Sequence, residues 1–126
     1  MSDDRWEVYA IRYARHERTA AQNFLGGDPH DGPMPLDFFV WLVRNERRQF
    51  VVDSGFDEAM AEKRDRTLLR PVGDGLRTVG CEPERVDDVI VTHMHYDHAG
   101  NRDLFPRARY HVQDAEMAWC TGRAMG

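Results

Sequence analysis

The run His93-Met94-His95-Tyr96-Asp97-His98 constrains this chain more than any other feature. It follows directly on Val89-Ile90-Val91-Thr92, a short β-branched stretch that reads as a buried strand. Side chains two apart on an extended segment share a face, so His93 and His95 can reach one ion together. The chain must then turn, which brings Asp97 and His98 toward the same region from another side. Imidazoles and a carboxylate in this grouping suit Zn²⁺, and Fe or Mn can use the same donors. The plain alternative is a His-rich surface loop. Three histidines and an aspartate placed at a strand end argue for a metal site instead.

The elements around this run spell a mixed α/β layered domain. Strands are expected over residues 6–13, 38–43, 49–52, 89–92 and 109–112, and the polar Arg44-Asn45-Glu46-Arg47 makes the second and third a hairpin. A helix is expected over 57–66 with Asp57 as its N-cap, another ending at Gly80, one turn at 82–85 and a helix opening near Asp114. Residues 14–37, rich in Gly and Pro, read as a long irregular connection. Phe38, Phe39 and Trp41 read as core. No internal repeat, linker or low-complexity segment interrupts the 126 residues, which hold one domain at most.

Composition excludes several classes of function. The net charge is −5, and the 16 arginines that supply nearly all the positive charge are scattered, so no face is built for nucleic acid. Leu, Ile, Val and Phe together number 26, enough to fold around a thin core. Two cysteines, Cys81 and Cys120, cannot make a disulfide scaffold or a four-thiolate zinc site, and read as reduced, buried thiols. The first residues lack the apolar stretch of a signal peptide, and the apolar run 38–43 is far too short to cross a bilayer. A cytoplasmic protein without membrane or nucleic-acid partners is therefore expected. Gly73-Asp74-Gly75 does not follow a strand and does not match a dinucleotide-binding turn.

His93, His95, Asp97 and His98 stand as the H-x-H-x-D-H signature, and the chain in this respect resembles the metallo-β-lactamase superfamily. Val51-Val52-Asp53-Ser54-Gly55 resembles a second family element, with Ser54 where Thr is more usual. Within the superfamily the flanks are most similar to the N-acyl homoserine lactonase branch: Thr92 to Asn101, Leu104-Phe105-Pro106-Arg107-Ala108, the stretch from Gln113 to Ala118, and Thr121-Gly122-Arg123. The resemblance implies the N-terminal half of an αββα sandwich. It implies two divalent metal ions, zinc first with iron or manganese as alternatives. His93 and His95 would bind one ion, Asp97 and His98 the other, and Asp53 would orient the site by hydrogen bonds.

The activity so implied is quorum-quenching hydrolysis. A metal-bound hydroxide, available because coordination lowers the pKa of water from about 15.7 towards about 7, opens the ester of a small-molecule lactone. Asp97 would orient that hydroxide and move a proton. Other substrates of the same machinery are a thioester, a β-lactam, or a sulfate or phosphate ester; iron at the same ligands would give redox chemistry; a non-catalytic metal-binding fragment is the remaining alternative. The resemblance also implies ligands in a second half that this chain does not carry. The single later histidine, His111, reads as structural, and Asp114 and Glu116 read as helix-start residues. The 126 residues are therefore expected to form a truncated domain that alone binds metal weakly and turns over little. His30, Phe24, Leu25 and Met34 would border a substrate pocket or lie in a solvated loop. Oligomeric state is not written in the sequence.

Overall fold

The computed structural model describes residues 5–121. Gly122 and Arg123, the end of one lactonase-like flank, lie outside them. The elements run β1 (Glu7–His16), α1 (Ala20–Asn23), β2 (Leu36–Arg44), β3 (Gln49–Val52), α2 (Glu58–Lys63), β4 (Thr67–Leu68), α3 (Val72–Arg77), a 3₁₀ turn Pro83–Arg85, β5 (Asp88–Ile90), a second 3₁₀ turn Arg102–Leu104, β6 (Arg109–His111) and α4 (Asp114–Thr121). The six strands make one sheet in the order β4-β1-β2-β3-β5-β6. β1, β2 and β3 pair antiparallel, while β3, β5 and β6 run parallel.

Local chemistry accounts for several boundaries. Asp57 caps α2, its carboxylate accepting the Met60 N–H at 2.9 Å. The β2–β3 hairpin closes on Asn45, whose side-chain oxygen accepts the N–H groups of Arg47 and Arg48 at 2.8 Å each. Two regions depart from the sequence reading. The 14–37 connection is not irregular throughout: β1 continues to His16 through a register shift between Arg12 and Ala14, and α1 follows. The loop then folds back, with Ala20 N–H on the Gly32 carbonyl and Met34 N–H on that of Arg18. β4, two residues long, exists because Leu68 and Thr67 pair with Ala14 and Arg15, a tertiary partner that no local pattern announces.

One face of the sheet carries the core. Ile11, Tyr13, Val40, Leu42, Val51 and Val89 are buried against Phe56, Ala61, Val72, Leu76 and Phe105. Tyr13 and Phe38 each meet the Phe56 ring edge-on, at 5.1 and 5.3 Å between centroids. Trp41 corrects the sequence reading: it points to the opposite face, across from Ala10 of β1, and stays exposed, as Val8 does. In a strand as uniformly apolar as β2, the two-residue alternation that sends Val40 and Leu42 inward cannot be read from hydrophobicity. No helix among the described residues is long and apolar enough to cross a membrane.

The parallel pairing of β3 with β5 is what positions the site. Their carboxyl ends lie side by side, so the turn after β3 and the loop after β5 meet at one end of the sheet. Ligands in open α/β sheets bind at such strand ends.

Candidate metal centre

Three backbone bonds stitch the two loops together. Asp53 N–H reaches the Ile90 carbonyl at 2.7 Å, Ser54 N–H that of His98 at 3.0 Å, and Gly100 N–H that of Gly55 at 2.9 Å. The turn is tight: Asp53 and Gly55 have φ of 62° and 71°. A Cβ on Gly100 would stand 2.4 Å from the Gly55 carbonyl oxygen, so only glycine admits this approach.

On this frame the Asp53 carboxylate, 3% exposed, gathers donors. Oδ1 accepts the Thr92 N–H at 2.8 Å, the Thr92 hydroxyl lies 2.9 Å from both oxygens, and Oδ2 is 2.7 Å from His98 Nδ1. His93 Nδ1 lies 3.1 Å from the Thr92 oxygen. With the Thr92 proton given to Asp53, that contact assigns the His93 proton to Nδ1. Asp53 thus orients His98 directly and His93 through Thr92, which leaves Nε2 as the donor nitrogen of each ring.

His93, Asp97 and His98 each place one donor atom so that all three lie within 4.8 Å of one another. His98 Nε2 and Asp97 Oδ2 are 3.1 Å apart. Two ligands about 2.0–2.1 Å from a tetrahedral ion stand roughly 3.3 Å apart, so this pair already has a ligand-pair spacing. The donor set fits a divalent cation. His95 stands beside this group and not within it: its ring meets the His93 ring edge-on at 4.6 Å, whereas the His93 and His98 rings are 3.9 Å apart.

The electrostatics follow the hydrogen bonds. The bond to Asp53, with the charges of Asp97 and Asp53, raises the His98 pKa above the ordinary imidazole value against the effect of burial. Burial works to raise the Asp53 pKa, but the bonds from His98 and Thr92 outweigh it and hold the carboxyl below its usual range.

Several supporting roles escaped the sequence reading. Tyr13, fully buried, donates its hydroxyl to the Asp97 carbonyl at 3.1 Å from 84 residues away. Burial and then the Asp97 charge push its phenol pKa up, so the hydroxyl stays a donor. Glu116 accepts the Met94 N–H at 2.7 Å, giving this α4 residue a second use beyond the helix start. The Ser54 hydroxyl bonds the Gly100 carbonyl, and Asn101 donates to the Ser54 carbonyl at 2.9 Å. His111 pairs with Asp88 at 2.9 Å across β5 and β6, outside the cluster. Phe24, Leu25 and Met34 are exposed.

The model of the metallo-beta-lactamase superfamily matches residues 36–120, from the start of β2 into α4. The chain belongs to that superfamily. Its metallo-beta-lactamase fold is shared by a quorum-quenching N-acyl homoserine lactone lactonase, with a TM-score of 0.68 and 21% identity over 98% of this chain and 51% of that one. It is shared equally by a probable metal-dependent hydrolase from Staphylococcus aureus, with a TM-score of 0.72 and 18% identity over 96% of this chain and 51% of that one. In sequence, the Gallus gallus protein named acyl-coenzyme A thioesterase MBLAC2 is 29% identical over 82 residues, 60% of this chain and 26% of that protein. The chain spans about half the length of these solved metallo-beta-lactamase folds and a smaller share of the thioesterase.

Proposed function

We propose that the chain carries one half of the active centre of a metal-dependent hydrolase that opens a lactone ring, with N-acyl homoserine lactones as the first substrate class. The observation that carries this reading is the convergence of His93, Asp97 and His98, backed by Asp53, at the carboxyl ends of two parallel strands. His93, His95, Asp97 and His98 would hold the ions, zinc first and iron or manganese after it. Bound there, the metal would supply a water acidic enough to lose its proton near neutral pH and an electrophile for the carbonyl.

The chain's own groups have distinct parts. Asp53 keeps Nδ1 of His98 protonated, which leaves Nε2 as the donor. Asp97 offers a second carboxylate oxygen that can hold a proton of the attacking water, making it the candidate catalytic residue. No side-chain nucleophile is needed, and burial pushes the Cys81 thiol up to about 11, far from a thiolate at neutral pH. We read the chain further as half of an αββα domain, the exposed Val8 and Trp41 marking the sheet face that a second layer would cover.

A second reading is supported by the sequence similarity to the thioesterase: the same centre hydrolysing an acyl thioester. One experiment separates these. Metal-loaded protein, as the chain and as its complete gene product, is assayed on acyl homoserine lactones and on acyl thioesters, with His93→Ala and Asp97→Ala as controls. Lactone turnover abolished by both variants supports the first reading and thioester turnover the second. Turnover untouched by either variant overturns both.

A further inference from the structure

Two guanidinium groups converge on Tyr96, the residue between His95 and Asp97. Arg64 lies over its ring with the guanidinium carbon 4.0 Å from the centroid, and Arg66 Nε donates to its hydroxyl at 3.1 Å. The end of α2 produces this arrangement. Asp65 takes φ of 56°, its N–H bonds the Glu62 carbonyl at 3.2 Å, and Arg66 N–H bonds that of Ala61 at 2.8 Å. That paired reversal ends the helix and turns Arg66 back over the loop.

Neither guanidinium contacts a carboxylate. Arg12, Arg15, Arg44, Arg77 and Arg107 each contact a carboxylate. Among the described residues, Arg64 and Arg66 find only Tyr96 and the Arg64 carbonyl, and Arg18 finds only the Gln22 carbonyl, its buried Nε lacking a partner. His16 has its pKa lowered by burial first and then by Arg66 and Arg18, with the charges of Asp65 and Glu17 acting the other way. Other arginines of the described residues also lack a carboxylate partner; what sets Arg64 and Arg66 apart is their convergence on one aromatic ring within the metal run. The pair also borders a space. A cavity of about 390 Å³ is lined by Arg64, Met94, His95 and Tyr96, so Arg64 shares its wall with a residue of the metal run.

We propose that Arg64 and Arg66 form an anion-binding subsite beside the metal centre, occupied by a phosphate or carboxylate on the substrate. The substrate is then an ester or thioester carrying an anionic group on the side of His95, an inference that rests on the hydrolase reading. A guanidinium stacked on an aromatic ring keeps its edge N–H groups free, and that edge matches two oxygens of either anion. The competing account is that both arginines only favour the negative end of α2. That role would change stability and leave discrimination between substrates alone.

The test compares three thioesters of one acyl group on the complete metal-loaded protein. The leaving groups are neutral N-acetylcysteamine, 3-mercaptopropionate with a carboxylate, and coenzyme A with phosphates. The quantity read is kcat/KM for each charged thioester relative to the neutral one. Arg64→Ala lowers that ratio about tenfold for the preferred anion, and Arg64→Lys, which keeps a point charge, lowers it less. The arm that responds tells carboxylate from phosphate. A second measurement needs no turnover: inorganic phosphate titrated into the metal-free chain shifts the Nε–H resonances of Arg64 and Arg66 saturably, and Arg64→Ala abolishes the effect on Arg66. An unchanged ratio in Arg64→Ala overturns the proposal, as does the lack of a saturable shift in a protein without turnover. Saturable binding without hydrolysis of any ester leaves the subsite standing and removes the hydrolase reading.

Discussion

Asp53 Oδ2 and His98 Nδ1 are 2.7 Å apart although 45 residues separate them in the chain. Parallel pairing of β3 and β5 brings them together, and the left-handed backbone at Asp53 aims the carboxylate across the gap. Asp53→Asn tests what that contact does for metal binding. Asn tolerates the same backbone region, so the turn is kept while one acceptor oxygen is replaced by a donor. Metal affinity should fall about 10–100-fold, the usual effect of removing a partner behind a ligand histidine. Competition against a chromophoric chelator measures it, and unchanged affinity in a folded variant would remove Asp53 from the site.

The same pair sets a pH window for the metal-free protein. His98 has its pKa raised above 6.5, so its share of stability is complete below that value and is lost as pH rises through the folded-state pKa. Asp53 has its pKa lowered below 3.8, so its share is complete above that value and is lost as acid protonates it. The pair therefore stabilises the chain most between pH 3.8 and 6.5. A hydrogen bond between charged groups, discounted for the partial exposure of His98, contributes about 1–2 kcal/mol. Urea unfolding of chelator-treated protein should show that amount lost above the window, and Asp53→Asn should flatten the profile there. A midpoint that climbs from pH 6.5 to 8 would contradict the assignment.

Thr92 links Asp53 to His93, and its hydroxyl is the only part of it that does so. Thr92→Val keeps the shape and the backbone N–H bond to Asp53 but leaves His93 Nδ1 without its acceptor. Metal affinity should drop by less than in Asp53→Asn, because His98 keeps its own partner, and Thr92→Ser should restore most of it. Equal affinity in all three proteins would show that His93 needs no such guide.

What could be read in the sequence is what local chemistry decides. The run 93–98, the strand before it and the Asp57 cap are legible because strand ends, caps and ligand spacing are written within a few residues. Superfamily membership follows from the same run, and the match over residues 36–120 bears it out. Elements decided by distant partners were not legible. β4 exists only through β1, and Trp41 faces outward in a strand whose apolar run hides its alternation. At the site, Tyr13 and Glu116 hold the loop from 84 and 22 residues away, and neither carries a local signal of that use. The sharing of donors is likewise a matter of packing: spacing pairs His93 with His95, whereas the folded loop groups His93 with Asp97 and His98.

Gly100 is where the two loops come closest, and the last prediction concerns it. An alanine there would put its Cβ 2.4 Å from the Gly55 carbonyl oxygen, 3.2 Å from Phe56 Cα and 3.3 Å from the Tyr96 carbonyl oxygen, all of them backbone atoms. None of these is the end of a flexible side chain, so relief requires the loop to lift and the Gly100 N–H bond to Gly55 to open. Overpacking of this kind costs about 1–3 kcal/mol, and loss of the bond adds about 1 kcal/mol. Gly32→Ala is the matched control, because nothing lies within 4 Å of its added carbon and its effect should stay within about 0.5 kcal/mol. Urea unfolding of the two variants side by side measures the difference. Lifting the loop also moves His98 away from Asp53, so Gly100→Ala should weaken metal binding as well, while Gly32→Ala should not. Equal stability and metal affinity in the two variants would mean that the stitched loops are not what holds His93, Asp97 and His98 in place.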